Sequence, residues 1–158
     1  MSRLRHRLAR AAYEDPRGLA GSLARYVALR RSLREALSRE PLDDLLRKVD
    51  GRRRRRTIDP DVLRAGIELG DALLDRTRAR ADTCLHRALA RYAVCRDHGA
   101  AATLVIGVEP SRVHQARDDI GHAWVEVEGV ALPPEAVDAF TESLRHPTAP
   151  RVDRSLWS

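Results

Sequence analysis

Apolar residues recur at helical spacing through the first half of the chain. Between Leu19 and Leu37 they fall at Leu19, Leu23, Tyr26, Val27, Leu33 and Leu37, with arginines on the other side, which predicts a long amphipathic helix. Pro41 restarts the chain, and Leu42, Leu45, Leu46 and Val49 predict a short helix. Asp59-Pro60 opens the next one. Asp59 is suited to accept from the first free backbone N–H groups, and Pro60 brings a preset φ to the first helical position. Val62, Leu63, Ile67, Leu69, Leu73 and Leu74 supply its apolar residues. Asp82-Thr83 offers a cap for a helix from Cys84 to about Asp97. Its apolar side is Leu85, Ala88, Leu89, Tyr92 and Cys95, and His98-Gly99 closes it, glycine being the usual residue just past a helix end.

The period then changes from helical to two. Thr103 to Val108 predicts a short apolar strand bounded by Pro110, and Arg112 to Gly121 a polar loop. His122 to Glu128 alternates with period two and predicts the clearest strand. Gly129 turns it into a strand from Val130 to Leu132, and Pro133-Pro134 stops that strand. Glu135 to Leu144 predicts a helix, and the tail from Pro147 has little pattern. Helices followed by neighbouring strands imply an α+β fold, not an alternating βαβ one. At 158 residues the chain suits a single domain. We expect an N-terminal helical region over 1–57 packed on a core over 58–158, as one compact unit.

Composition narrows the function classes. Apolar residues make up 43% of the chain, enough for a core, but aromatics only 4%, so the core must be mostly aliphatic. No apolar run approaches the roughly 20 residues of a membrane-spanning helix. Tyr13, Glu14, Asp15 and Pro16 stand where a signal peptide would need its apolar stretch. These features predict a soluble, cytoplasmic protein with no membrane partner. The net charge is +6, and Lys48 is the sole lysine among 29 basic residues. Five arginines, Arg52 to Arg56, follow Gly51. A solvated loop is the plain reading of such a run; a docking surface for an acidic peptide or partner protein is the second. Nucleic acid ranks last, because no reader motif and few stacking aromatics accompany the charge. With no Gly-rich phosphate loop and no G-x-S-x-G elbow, ATP use by the chain alone is not expected.

The chemistry-bearing residues are few. Cys84 and Cys95 would lie about 16 Å apart along one helix at a rise of about 1.5 Å per residue, against the roughly 7 Å limit for a disulfide. Both are expected as free thiols. Cys95 falls on the apolar side and reads as core. Cys84 falls in a first helical turn, where the helix dipole and free N–H groups favour a thiolate. His122 opens the clearest strand, with Trp124 and Glu126 on its face. An imidazole that takes the thiol proton, oriented by an acid, is the machinery of cysteine acyl transfer. Taken alone, Cys84 reads first as one more buried cysteine. Trp124 reads as a packing residue that screens the pair from water, or as a substrate contact. His86 lies about 200° around the helix from Cys84 and reads as surface. His98 is a helix-end residue and His114 a loop residue. Cys84, His86, Cys95, His98, His114 and His122 show no C-x-x-C or H-x3-H spacing, so no metal and no cofactor is expected.

In order along the chain stand Thr83-Cys84-Leu-His-Arg-Ala-Leu-Ala90, Gly99, Leu104-Val-Ile-Gly-Val108 and His122-Ala-Trp-Val-Glu-Val-Glu-Gly129. This series resembles the transglutaminase-like cysteine peptidases of lasso-peptide biosynthesis, the microcin-processing leader peptidases. The resemblance covers about residues 58 to 140, and residues 1 to 57 match nothing recognisable. It implies a transglutaminase/papain-like core with a Cys-His-acid triad, in which Cys84 attacks the scissile carbonyl and His122 moves the proton. It further implies a precursor peptide, bound through its leader segment, as substrate. A separate leader-binding recognition protein is the implied partner, and an ATP-dependent macrolactam cyclase acts afterwards.

The third triad member is where the chain departs from the family. The family's Asp follows the Gly of the His strand, and Pro133 and Pro134 occupy the matching positions here. Glu135 is the nearest substitute, with Asp138 and Glu126 as the others. That departure keeps open a catalytically silent peptide-binding module on the same fold. The same thiol and imidazole could also perform amide transfer in place of hydrolysis.

Overall fold

A computed structural model describes residues 2–52, 57–76, 83–110, 121–132 and 137–147. Among these residues five helices precede a four-stranded sheet: α1 (Ser2–Glu14), α2 (Pro16–Leu37), α3 (Leu42–Asp50), α4 (Pro60–Arg76), α5 (Cys84–Asp97), β1 (Ala102–Val108), β2 (Gly121–Val127), β3 (Val130–Ala131) and β4 (Thr141–His146). The expected α+β class holds. The helix starts are written in the sequence. Asp15 accepts from Gly18 N–H with Pro16 at the first position of α2. Asp59 Oδ1 accepts from the N–H groups of Asp61 and Val62 ahead of α4. Among the described residues, no helix is long and apolar enough to cross a membrane.

The helices α2 and α4 approach closely because α4 presents glycines. A Cβ added at Gly66 would overlap the Ser22 side chain, and one at Gly70 would overlap the Tyr26 ring. Both pairs step by four residues, so one stripe of each helix meets the other. The next residue along α4 makes the contact polar. Asp71 accepts from the Tyr26 hydroxyl at 2.5 Å, from Arg30 at 2.8 Å and from Arg91 at 2.9 Å. One carboxylate thus ties α2, α4 and α5 together. The two guanidiniums are nearly buried, with side-chain exposures of 4% and 9%.

The helix α5 is buried on every side from Ala88 to Cys95, as expected of a helix enclosed by other elements. One apolar cluster runs from Tyr26, Leu29 and Leu33 through Leu45, Leu46 and Val49 to Leu63 and Ile67. It continues through α5 to Leu104, Ala123 and Val125 of the sheet. A smaller cluster of Ala11, Val62 and Ala65 fixes α1. A second polar tie joins α3, α5 and β4: Asp50 accepts from the Tyr92 hydroxyl at 2.6 Å and lies 2.8 Å from His146 Nε2. Leu73, read from the sequence as part of the apolar side of α4, is instead exposed.

The sheet is antiparallel, in the order β3-β2-β1-β4. Residues 102, 104 and 106 of β1 pair with 127, 125 and 123 of β2, and this face meets the helices. The expected helix from Glu135 to Leu144 is a correction. Residues 133–136 lie outside the described ones, 138–139 form a turn, and Thr141–His146 is an edge strand on β1. Val137, Phe140 and Leu144 are spaced as on a helix, and that misleads. The strand wins because β1, buried on both faces, needs a partner for its second row of backbone groups. Its own period is hidden by a register shift between Ile106 and Gly107.

Candidate active site

The N-terminus of α5 is capped from both sides. Thr83 adopts extended φ/ψ, its hydroxyl accepts from His86 N–H, and His86 Nδ1 accepts from Thr83 N–H at 3.0 Å. This is a capping box with histidine in the place where Glu or Gln is usual. His86 thus serves the helix start. Cys84 is the first residue of the helix and half-buried. Its own N–H is one of the helix-start donors that no intrahelical carbonyl can satisfy.

The Cys84 thiol points at the sheet. Sγ lies 3.9 Å from the carbonyl oxygen of Gly121, the residue that opens β2 and immediately precedes His122. The direction of that carbonyl follows from strand geometry. Val125 offers its carbonyl to Leu132 N–H on the β3 side, at 2.7 Å. Backbone groups repeat every two residues, so the Gly121 carbonyl also faces away from β1, toward the end of α5.

His122 is half-buried and held in an aromatic setting. Its ring stacks on Trp124 (centroids 6.0 Å, planes 18° apart) and tilts against Phe140 (5.1 Å, 32°), and Phe140 in turn meets Trp124 at 6.3 Å. These side chains share the face of β2 opposite Ala123 and Val125. Gly107, paired with His122 across the sheet, makes room for them: a Cβ there would come within 2.9–3.0 Å of Phe140 and Trp124. Trp124 is 2% exposed, so it walls the histidine rather than offering a broad contact surface. Its indole N–H donates to Glu126 Oε1 at 3.1 Å. Glu126 Oε2 accepts from Arg145 at 2.8 Å, and Arg145 also donates to Glu142. Hydrogen bonding to Arg145, helped by its charge, holds the Glu142 carboxyl below its ordinary range, and the hydrogen bonds to Glu142 and Glu126 push the Arg145 guanidinium up.

The structure thus brings the Cys84 thiol to the backbone at the start of β2, one residue before His122. Of the acid candidates, Glu135 lies outside the described residues. Asp138 is exposed in the turn before Phe140, and Glu126 serves Trp124 and Arg145. Cys95 is fully buried, and burial pushes its thiol up to about 12. His98 caps the other end of α5, and His114 and Arg53 to Arg56 lie outside the described residues. Among the described residues, no group of three or more His, Cys, Asp or Glu could hold a metal ion. A cleft of about 660 Å³ between α1 and α4 is lined by His6, Arg7, Arg10, Glu14 and Asp61 and includes none of the site residues. Sequence reasoning missed Phe140 and Arg145. Phe140 is the only phenylalanine in a chain poor in aromatics, which was the available signal.

A family model described as the transglutaminase-like superfamily matches residues 20–145. No curated protein and no solved structure matches the chain.

Proposed function

The chain belongs to the transglutaminase-like superfamily, and we propose that within it the chain is a cysteine peptidase that removes the leader from a ribosomally made lasso-type precursor peptide. The superfamily includes cysteine peptidases, and its fold commonly serves cysteine hydrolases or transferases. The observation that carries the proposal is the Cys84 thiol at a capped helix start, 3.9 Å from the peptide carbonyl that precedes His122.

In the proposed reaction His122 takes the thiol proton and the Cys84 thiolate attacks the scissile carbonyl carbon. The oxyanion is met by the backbone N–H of Cys84 at the start of α5. The C–N bond breaks as His122 returns the proton to the leaving amine, which leaves a thioester on Cys84. His122 then takes a proton from water. The hydroxide attacks the thioester carbonyl, the C–S bond breaks, the Cys84 thiolate regains its proton from His122, and the leader leaves as a free carboxylate. Trp124 and Phe140 keep water from the imidazole. Glu135 is the proposed orienting acid. A separate leader-binding protein presents the precursor, and an ATP-dependent cyclase consumes the freed amine. The cytoplasm suits this chemistry, because thiols stay reduced there.

The test is cleavage of a precursor in the presence of its leader-binding protein, followed by mass spectrometry. Wild-type protein should release leader and core peptide, and Cys84→Ala and His122→Ala should not. Normal cleavage by Cys84→Ala would overturn the proposal. A product carrying an added amine in place of water would assign amide transfer instead. A precursor that binds Cys84→Ala and wild type equally and is cut by neither would assign a silent binding module.

A further inference from the structure

We propose that Arg145 on β4 is a positioning residue for His122, acting through Glu126 and Trp124. The inference deepens the cysteine-peptidase reading and rests on it for the role of His122. The imidazole is gripped by two rings, and only one of them carries a polar handle. Trp124 is fixed in rotation by its indole N–H on Glu126. Glu126 is fixed in turn by Arg145, whose guanidinium spans Glu126 and Glu142. Arg145 sits across Val105 of β1, and Val105 pairs with Trp124, so the bridge crosses three strands on one face of the sheet. The Glu126 and Arg145 side chains are 15% and 31% exposed. Removing the guanidinium leaves a largely desolvated carboxylate without its counter-charge, and such a group turns toward water. The indole then loses its acceptor and the stacked imidazole loses one wall. Phe140, which stands just before β4 and completes the grip, ties the same edge strand to the histidine a second time.

The experiment uses full-length Arg145→Gln and Arg145→Lys proteins, with ¹⁵N-imidazole and indole N–H NMR spectra recorded across pH beside the rate of Cys84 alkylation. In Arg145→Gln the Trp124 indole and His122 ring signals should move and the His122 titration midpoint should change. Cys84 alkylation at pH 6 should fall on the order of tenfold, the scale of a modest misplacement of a reacting group. Arg145→Lys keeps a charge for Glu126 and should restore the rate to within about threefold of wild type. Native amide spectra elsewhere would show that the fold persists. His122 and Trp124 signals unchanged in Arg145→Gln would overturn the inference. The failure of the underlying reading is separate: it shows as Cys84 alkylation in otherwise wild-type protein that does not respond to His122→Ala, whatever Arg145 does to the ring signals.

Discussion

Replacing Asp71 by alanine isolates the tie that holds the cysteine-bearing helix to the rest of the helical layer. The carboxylate accepts from Tyr26, Arg30 and Arg91, which belong to α2 and α5, while Asp71 itself belongs to α4. Burial and the nearby carboxylate raise the Tyr26 hydroxyl above its ordinary value, so the phenol stays a donor at neutral pH. In Asp71→Ala two guanidiniums with 4% and 9% side-chain exposure face each other without their shared counter-ion. Breaking a buried ion pair from one side costs about 3–5 kcal/mol. That is a large share of the roughly 5–15 kcal/mol that keeps a domain folded. With a urea slope of about 2 kcal/mol per molar, the unfolding midpoint should drop by about 2 M. Asp75→Ala is the control. Asp75 also pairs with Arg30 but is 48% exposed, so its loss should cost no more than about 1 kcal/mol. Urea unfolding followed by far-ultraviolet circular dichroism measures both. An Asp71→Ala midpoint within about 0.5 M of wild type would refute the reasoning, because the network would then be a surface ornament on a purely apolar contact.

Three further expectations follow from local geometry. Gly70→Ala pushes a methyl group into the Tyr26 ring and should destabilise by about 1–2 kcal/mol after the gain in helix propensity, whereas Gly21→Ala on α2 meets nothing within 4 Å and should stabilise by about 0.5–1 kcal/mol; thermal melts decide the sign of each. Thr83→Ala removes the hydroxyl of the capping box and should cost about 1 kcal/mol, with faster hydrogen exchange at His86 N–H. Burial raises the Asp50 carboxyl, but hydrogen bonds from Tyr92 and His146 and the charge of Arg96 outweigh it, so its native value lies below the ordinary one. A lowered value contributes stability that is full above the ordinary carboxyl range and is lost as pH falls below it. Asp50→Asn should therefore flatten the acid limb of the stability–pH curve below about pH 4, measured by urea midpoints at each pH.

The parts of the fold that were legible in the sequence are those written in local chemistry. Asp59-Pro60 and Thr83 announced two helix starts, and the alternation after His122 announced β2. The free state of both thiols followed from their spacing on one helix. The strand β4 was hidden because Val137, Phe140 and Leu144 imitate a helical stripe, and because an edge strand is specified by its partner's open backbone groups more than by its own period. The charge ties at Asp71 and Asp50 were equally hidden. Their partners stand at least 20 residues away in the chain, and arginine-rich composition gives no sign of which guanidinium is buried. At the site, the helix-start position of Cys84 was visible in the sequence, while its meeting with β2 rested on family resemblance and became geometry only in the fold. The walling of His122 by Trp124 and Phe140 was half visible. Trp124 shares its strand face, but Phe140 arrives from a segment read as helix. The place of His86 in the cap was overlooked because histidine is an unusual third residue in that box.

The most direct test of the central claim is the pH dependence of iodoacetamide labelling at Cys84 and Cys95, followed separately by mass spectrometry from about pH 5 to pH 9. Cys95, with its thiol pushed up to about 12, is the internal reference and should stay unlabelled in the folded protein across that range. With a thiolate–imidazolium pair, Cys84 should be labelled rapidly at pH 6, below the ordinary thiol value of about 8.5, and His122→Ala should move its profile upward. A Cys84 profile that follows the ordinary thiol and does not respond to His122→Ala would contradict it.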